Sequence, residues 1–332
     1  MSFTRGATAL LLAALLPACS GGDGSCDGEV LPPVHAADLC VNAGCGERVV
    51  LLDIPSAENL IFSNTGRLFV SSGLGVLEIR RKADGSFESL PISEARGYNG
   101  LAIAGDVLYA VSGDGTLSAT RLDASPRLEA IYQMSGMCIA NGMAFGPDGA
   151  LYVVDEPLNL CVPDPKIKRL RLSAVDPFAV VGEEVWVQGS PLGQLHLGLD
   201  NVLRFPNGLQ RAGNRFFGTD GGSVYAVDLQ ADGSAGTVTP LYFTVDAHDD
   251  LGLVGDDGLL VAGFFTGRIR LLSRDGELLQ QTEPATFSFP SSVRLGRPPM
   301  FRPDDILVTE TGVLTDNNLP LDHLSLFRRR DP

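Results

Sequence analysis

NGMAFGPDGALYVVDE, residues 141–156, holds a polar residue, a short apolar strand, a Pro-Asp-Gly turn and a second strand that ends in an acidic pair. Proline presets the turn, aspartate bonds back to the backbone and glycine supplies the left-handed conformation, so the flanking runs read as a β-hairpin. The unit recurs six times at a spacing of about 40 residues, the period of propeller blades. The copies start at Glu58, Asn99, Asn141, Asn207, Asp249 and Ser291. The first continues through GRLFVSS (66–72), GVLEIRR (75–81) and FESLPI (87–92), and the third through KIKRLRL (166–172) and EEVWVQ (183–188). The sixth has only three strands, ending in DILVTET (305–311) and LSLFRR (324–329), whereas a lone strand, VVLLDI (49–54), precedes the first. The two ends are therefore expected to complete one blade together. The predicted fold is all-β, a six-bladed propeller of four-stranded blades closed by an N-terminal strand completing the last blade. A β-sandwich or jelly roll is the alternative, and neither predicts six copies of one unit.

Composition agrees with a large β-rich domain: of 332 residues, 39 are glycine, 21 proline, 44% hydrophobic and 20% charged. Residues 1–18 carry Arg5, an apolar run over 7–16 and then Pro17-Ala18-Cys19. They resemble a bacterial lipoprotein signal with Cys19 lipidated, the alternative being a plain secretory peptide cut after Ala18. The apolar run is short of the roughly 20 residues a spanning helix needs. Ser20 after the cysteine favours, by the same resemblance, the periplasmic face of the outer membrane. Residues 19–46, rich in Gly, Ser and Asp, read as a flexible tether, and residues 47–330 hold the repeat.

The chain has 25 basic and 40 acidic side chains, a formal net charge of −15, which becomes −16 once residues 1–18 and their Arg5 are removed. Such a body repels nucleic acid and anionic lipid, so neither is an expected partner, and a monomer is the expected state. Six cysteines stand at 19, 26, 40, 45, 138 and 161. Cys138 and Cys161 flank the hairpin unit and are the expected disulfide; of Cys26, Cys40 and Cys45 two can pair and one is left over. Neither a paired CxxC nor a histidine cluster supports zinc.

The innermost strands of a propeller line its central tunnel. The six first residues, Glu58, Asn99, Asn141, Asn207, Asp249 and Ser291, are thus expected to converge at one end of the axis. All offer oxygen and none offers a soft ligand, the preference of calcium. Each Asn-Gly pair, at 99, 141 and 207, also reads as an ordinary turn before a strand. That second reading leaves Glu58 and Asp249, at the same place in the repeat, unexplained.

In order and position, Glu58-Asn-Leu with GRLFVSSGLG, Asn141-Gly-Met, Asn207-Gly-Leu and Asp249-Asp250-Leu resemble the calcium-ligand motifs of six-bladed lactonases and esterases. The two groups concerned are the senescence marker protein/gluconolactonase family and the paraoxonase/arylesterase family, and the resemblance spans residues 47–330. It implies one calcium ion at the top of the tunnel, held by Glu58, Asn141, Asn207 and Asp249 with Asp250 as a further ligand. It also implies hydrolysis of a lactone or ester whose carbonyl the metal polarises, with Asp249 positioning or activating water. The chain departs from paraoxonases at Asn99, where they place a catalytic histidine, and at Asn59 and Gly142, where they place ligands of a second ion.

The segments 156–165, 189–206 and 312–323 fall on the same face and are expected to form a lid. His196 and His323 on that face, with Asn99, Ser291 and Phe264, are candidates for the substrate pocket, as is Phe265. Strand alternation points His248 away from the ion. Each histidine also reads as an ordinary loop residue, each phenylalanine as blade packing, and Asp155, Glu156 and Asp220 as strand-end carboxylates. Two other functions stay open: a binding or scaffold propeller with structural calcium, and a relative of strictosidine synthase with different acid-base chemistry.

Overall fold

The structure, a computed structural model, describes residues 33–157, 164–190, 201–311 and 322–330. Its strands form six four-stranded sheets, each sequential except the last. The innermost strands are Leu60–Phe62, Tyr98–Ala104, Ile139–Phe145, Pro206–Ala212, His248–Val254 and Pro290–Leu295, which begin blades 1 to 6. Blade 6 continues with Ile306–Glu310 and His323–Arg329 and takes Gly46–Asp53 as its outer strand, Val49 lying opposite Leu326. The ring is thus closed by the N-terminal strand, as the three-stranded sixth copy predicts.

The second strand of each blade shows why the repeats read as unbroken apolar runs. Successive side chains of a strand point to opposite faces, and in this ring each face meets a neighbouring blade. Tyr152 and Val154 pack with Phe216 and Tyr225 of blade 4, while Leu151 and Val153 pack with Tyr109 and Leu117 of blade 2. Adjacent Phe216 and Phe217 divide likewise between the junctions with blades 3 and 5. Six such clusters, one per junction, make up the core. Each fully buried side chain of this size contributes roughly 1.5–3 kcal/mol. The hairpin turn behaves as its residues dictate: Gly149 has φ 75°, and the Asp148 carboxylate accepts from the Ala150 amide at 3.2 Å.

Part of the stretch grouped by composition with the tether is packed. Ala36, Leu39 and Val41 join the cluster between blades 5 and 6, Asp257 accepts from the Ala36 amide, and Gln280 bonds both Val41 N and Leu39 O. Cys40 and Cys45 form a disulfide, Cα to Cα 5.8 Å, so they are the pair among the three N-terminal candidates; Cys26 lies outside the described residues. Apolar residues spaced through a polar stretch escaped a reading based on composition. No described helix is long and apolar enough to cross a membrane.

Candidate metal and active centre

Five innermost strands carry a register shift at their start: Tyr98/Gly100, Ala140/Met143, Pro206/Leu209, His248/Leu251 and Pro290/Ser292. A β-bulge re-aims the side chains beside it, and these shifts bracket Asn99, Asn141, Asn207, Asp249 and Ser291. The glycine after each asparagine answers to crowding. A Cβ on Gly100 would stand 2.2 Å from the Asn141 carbonyl oxygen, one on Gly142 2.3 Å from that of Asn207, and one on Gly208 2.4 Å from Asp250 Oδ1. Asn-Gly here is no turn before a strand; it lies within the strand, where neighbouring blades approach too closely for a side chain.

A cavity of about 500 Å³ opens where these strands begin. Glu58, Asn99, Asn141, Asn207 and Asp249 all line it, together with Glu156, His248, Thr311, Ile139, Phe205, Phe264 and Phe265. Five of the six first residues therefore meet. The sixth does not: the buried Ser291 hydroxyl donates to the Ala57 carbonyl at 2.8 Å and lies 3.0 Å from Thr309 Oγ1, both outside the cavity wall.

Glu156, read from sequence as a strand-end carboxylate, belongs to the site. It accepts from the side-chain amides of Asn141 at 3.1 Å and Asn207 at 3.4 Å. Asp155 and Asp220 do cap loops: Asp155 accepts from the Cys138 and Ile139 amides and pairs with buried Lys166 at 2.8 Å, and Asp220 accepts from the Arg204 and Phe205 amides. All three carboxylates close a second strand, and only a tertiary view separates them.

Asp250, expected as a further ligand, faces away. Its Oδ2 pairs with Arg294 at 2.8 Å and accepts from Ser292 at 2.8 Å and Asn59 at 3.0 Å, while Oδ1 accepts from the Leu251 amide. Four internal donors thus engage this carboxylate, and Asp250 is absent from the cavity wall. His323 is also elsewhere, its Nδ1 2.9 Å from Asp53 in the outer strands of blade 6. His248, by contrast, lines the cavity beside Asp249 because the bulge between His248 and Leu251 breaks strand alternation. Burial and the nearby Arg270 guanidinium push its imidazole down to about 4, and its Nε2 lies 3.0 Å from Thr244 Oγ1. His196, Cys161 and most of the three lid segments lie outside the described residues; Cys138 is a half-cystine.

The electrostatics of the cavity are one-sided. Burial, then Glu156, then Asp250 raise Glu58 to about 8; burial raises Glu156 to about 7 against the opposing asparagine amides. Burial, then Glu58 and Glu156, hold Asp249 well above the usual carboxylate range. Among the described residues no lysine or arginine lines the cavity. Moreover Asn207 Oδ1 and Asp249 Oδ1 are buried without a donor, each costing about 1–3 kcal/mol. Orphaned oxygens within a cluster of carboxylates and amides fit a hard divalent cation of the calcium type. A tighter grouping of ligand atoms, His35 with Asp256 and Asp257, is exposed on the outer surface and has the character of ordinary ion pairing.

The chain matches no family model and no curated protein. Among solved structures it is similar to the calcium-binding protein regucalcin from Agrobacterium tumefaciens, with TM-score 0.64 and 15% identity over 86% of this chain and 94% of that one. It is similar also to a gluconolactonase from Xanthomonas campestris, with TM-score 0.64 and 18% identity over 90% and 95%, and to a luciferin-regenerating enzyme, with TM-score 0.61 and 16% identity over 85% and 95%. At these identities the likeness establishes the shared propeller fold.

Proposed function

We propose that the chain is a calcium-dependent hydrolase of lactones or esters, with Glu58, Asn141, Asn207 and Asp249 holding the ion. The observation that carries this reading is the pair of donorless buried oxygens, Asn207 Oδ1 and Asp249 Oδ1, in a cavity with three carboxylates and no cationic side chain among the described residues. The calcium binding named for the Agrobacterium regucalcin and the lactonase named for the Xanthomonas protein point the same way. When bound, calcium supplies Lewis-acid polarisation of the scissile carbonyl.

The chain's own residues do the rest. Glu156 takes the amide NH2 groups of Asn141 and Asn207, which turns their carbonyl oxygens to the opposite side of each amide. The Asp249 carboxylate accepts the proton of water as the water oxygen bonds to the carbonyl carbon. Cleavage of the bond from that carbon to the ring or ester oxygen then returns the proton to the leaving oxygen, giving a hydroxy acid, or an acid and an alcohol. Phe264 and Phe265 at the wall limit the water that reaches this step. The sequence-based reading adds an exported chain, anchored through Cys19 at the periplasmic face of the outer membrane.

The test is hydrolysis of a lactone and aryl-ester panel with and without chelator. Activity lost to chelator and restored by calcium is expected; turnover indifferent to chelator sinks the proposal. Calcium binding without turnover on any member would leave a propeller with structural calcium.

A further inference from the structure

The cavity has two unlike halves. One is the cluster of oxygen donors; the other is formed by Ile139, Phe205, Phe264 and Phe265. Phe265 is 68% exposed at the mouth, and Phe264 and Phe265 stack edge-on with Phe289, at 5.1 and 6.5 Å between centroids. Phe289 holds a left-handed backbone, φ 53°, that a bulky residue rarely adopts, so the aromatic wall is kept against a local cost.

The polar half consists mainly of acceptors, and few of its donors are free. The amides of Asn141 and Asn207 go to Glu156, that of Asn99 to the Ala140 carbonyl at 3.0 Å, His248 meets Thr244 through Nε2 and keeps only Nδ1 without a partner, and the Thr311 hydroxyl goes to the Ala57 carbonyl at 2.9 Å. The described wall holds no lysine or arginine, so a substrate anion meets three carboxylates offset by the calcium alone. A hydroxyl pressed against phenyl rings loses its water without replacement, which is strongly unfavourable. An alkyl or aryl arm loses nothing there and gains from leaving water.

We infer, resting on the hydrolase reading above, that the site selects neutral lactones or esters carrying an apolar alkyl or aryl arm, which lies along Phe205, Phe264 and Phe265 while the carbonyl meets the donor half. Polyhydroxylated substrates are disfavoured, because their hydroxyls would lie against the aromatic half. A volume of about 500 Å³ lies within the range of pockets that take drug-sized ligands, enough for a ring and a medium chain.

The full calcium-loaded chain is assayed on δ-valerolactone, δ-nonalactone, phenyl acetate and glucono-δ-lactone. The kcat/KM is expected to rise about threefold to fourfold per added methylene, with glucono-δ-lactone the poorest member. A flat profile, or glucono-δ-lactone as the best substrate, overturns the inference. Phe264→Ala should lower the ratio of δ-nonalactone to δ-valerolactone turnover about tenfold; Phe265→Ala, at an exposed site that does not threaten folding, should lower it in the same direction. An unchanged ratio in Phe265→Ala counts against the aromatic wall.

A binding arm separates this inference from the hydrolase reading. Calorimetric titration uses two non-hydrolysable lactams, one alkyl-substituted and one polyhydroxylated. Binding of the alkyl lactam alone supports the specificity even where no substrate turns over, an outcome that removes only the hydrolase reading. Equal or tighter binding of the polyhydroxylated lactam, or binding of neither, overturns the inference itself.

Discussion

Two pairs of adjacent acids look alike in sequence and have opposite fates within each pair. Asp155 and Glu156 end the second strand of blade 3; Asp249 and Asp250 begin the first strand of blade 5. Asp155 is paired with Lys166 and Asp250 with Arg294, each at 2.8 Å and each nearly sealed from solvent. Glu156 meets only asparagine amides, and Asp249 retains an oxygen with no donor at all. Burial treats all four equally. The difference is the supply of a cation from within the chain, and it divides carboxylates paired within the fold from carboxylates left facing the cavity without a cationic partner.

The largest effect that would test this division is on Asp249. Asp249→Asn should reduce turnover about 10²- to 10⁴-fold and weaken calcium binding, while circular dichroism stays native. Full activity in that variant would falsify the role given to Asp249. Next, Asp250→Asn removes the charge opposite the partly buried Arg294 guanidinium, which keeps its bonds to the Leu251 and Val293 carbonyls, and should cost up to about 3 kcal/mol in urea unfolding, with calcium stoichiometry unchanged in the folded fraction. A loss confined to calcium affinity would instead make Asp250 a ligand.

Glu156→Gln comes third. Because Glu156 orients two amides beside the ion, calcium affinity measured by calorimetry should fall about 10- to 100-fold. No change would return Glu156 to the ordinary strand-end class. The smallest effect is on pH dependence. Glu58 at about 8 and Glu156 at about 7 lie above the usual value, so their ionisation penalises the folded state. Their contribution to stability is intact below about pH 4.5 and is lost as pH rises through 7 and 8. The metal-free Tm should decline across that window and calcium should flatten the decline; a metal-free Tm that climbs there contradicts the assigned shifts.

The ring was legible because it is periodic. Six copies, a three-stranded last copy and a spare first strand leave one closed arrangement, and apolar runs between turns marked strands covered on both faces. Four of the five first residues that reached the cavity, Asn99, Asn141, Asn207 and Asp249, do so at equivalent bulges, and Glu58 lies just before a strand without one. Legibility failed where a bulge or a partner decided the outcome. His248 reached the wall because alternation stops at the bulge, Ser291 turned to Ala57 and Thr309, and Asp250 was captured by Arg294, 44 residues away in sequence. Glu156 was missed since Asp220 and Glu310 close second strands in the same manner and do cap backbone amides. Nothing local distinguishes a carboxylate that caps from one that waits.

The closing strand has a consequence for how the molecule comes into being. Residues 46–53 pair with residues 323–329, which are made only after the strands of blades 1 to 5, so blade 6 cannot assemble before those blades have been synthesised. Bringing such distant segments together is an entropic, non-local step, slow relative to folding within one blade. Glu58 follows that strand directly and Asp249 sits in blade 5, so the cavity proposed to hold the ion spans the seam and is complete only after it is sealed. Capture of calcium would then act as a latch on the finished ring, and its uptake during refolding would time the last event of assembly.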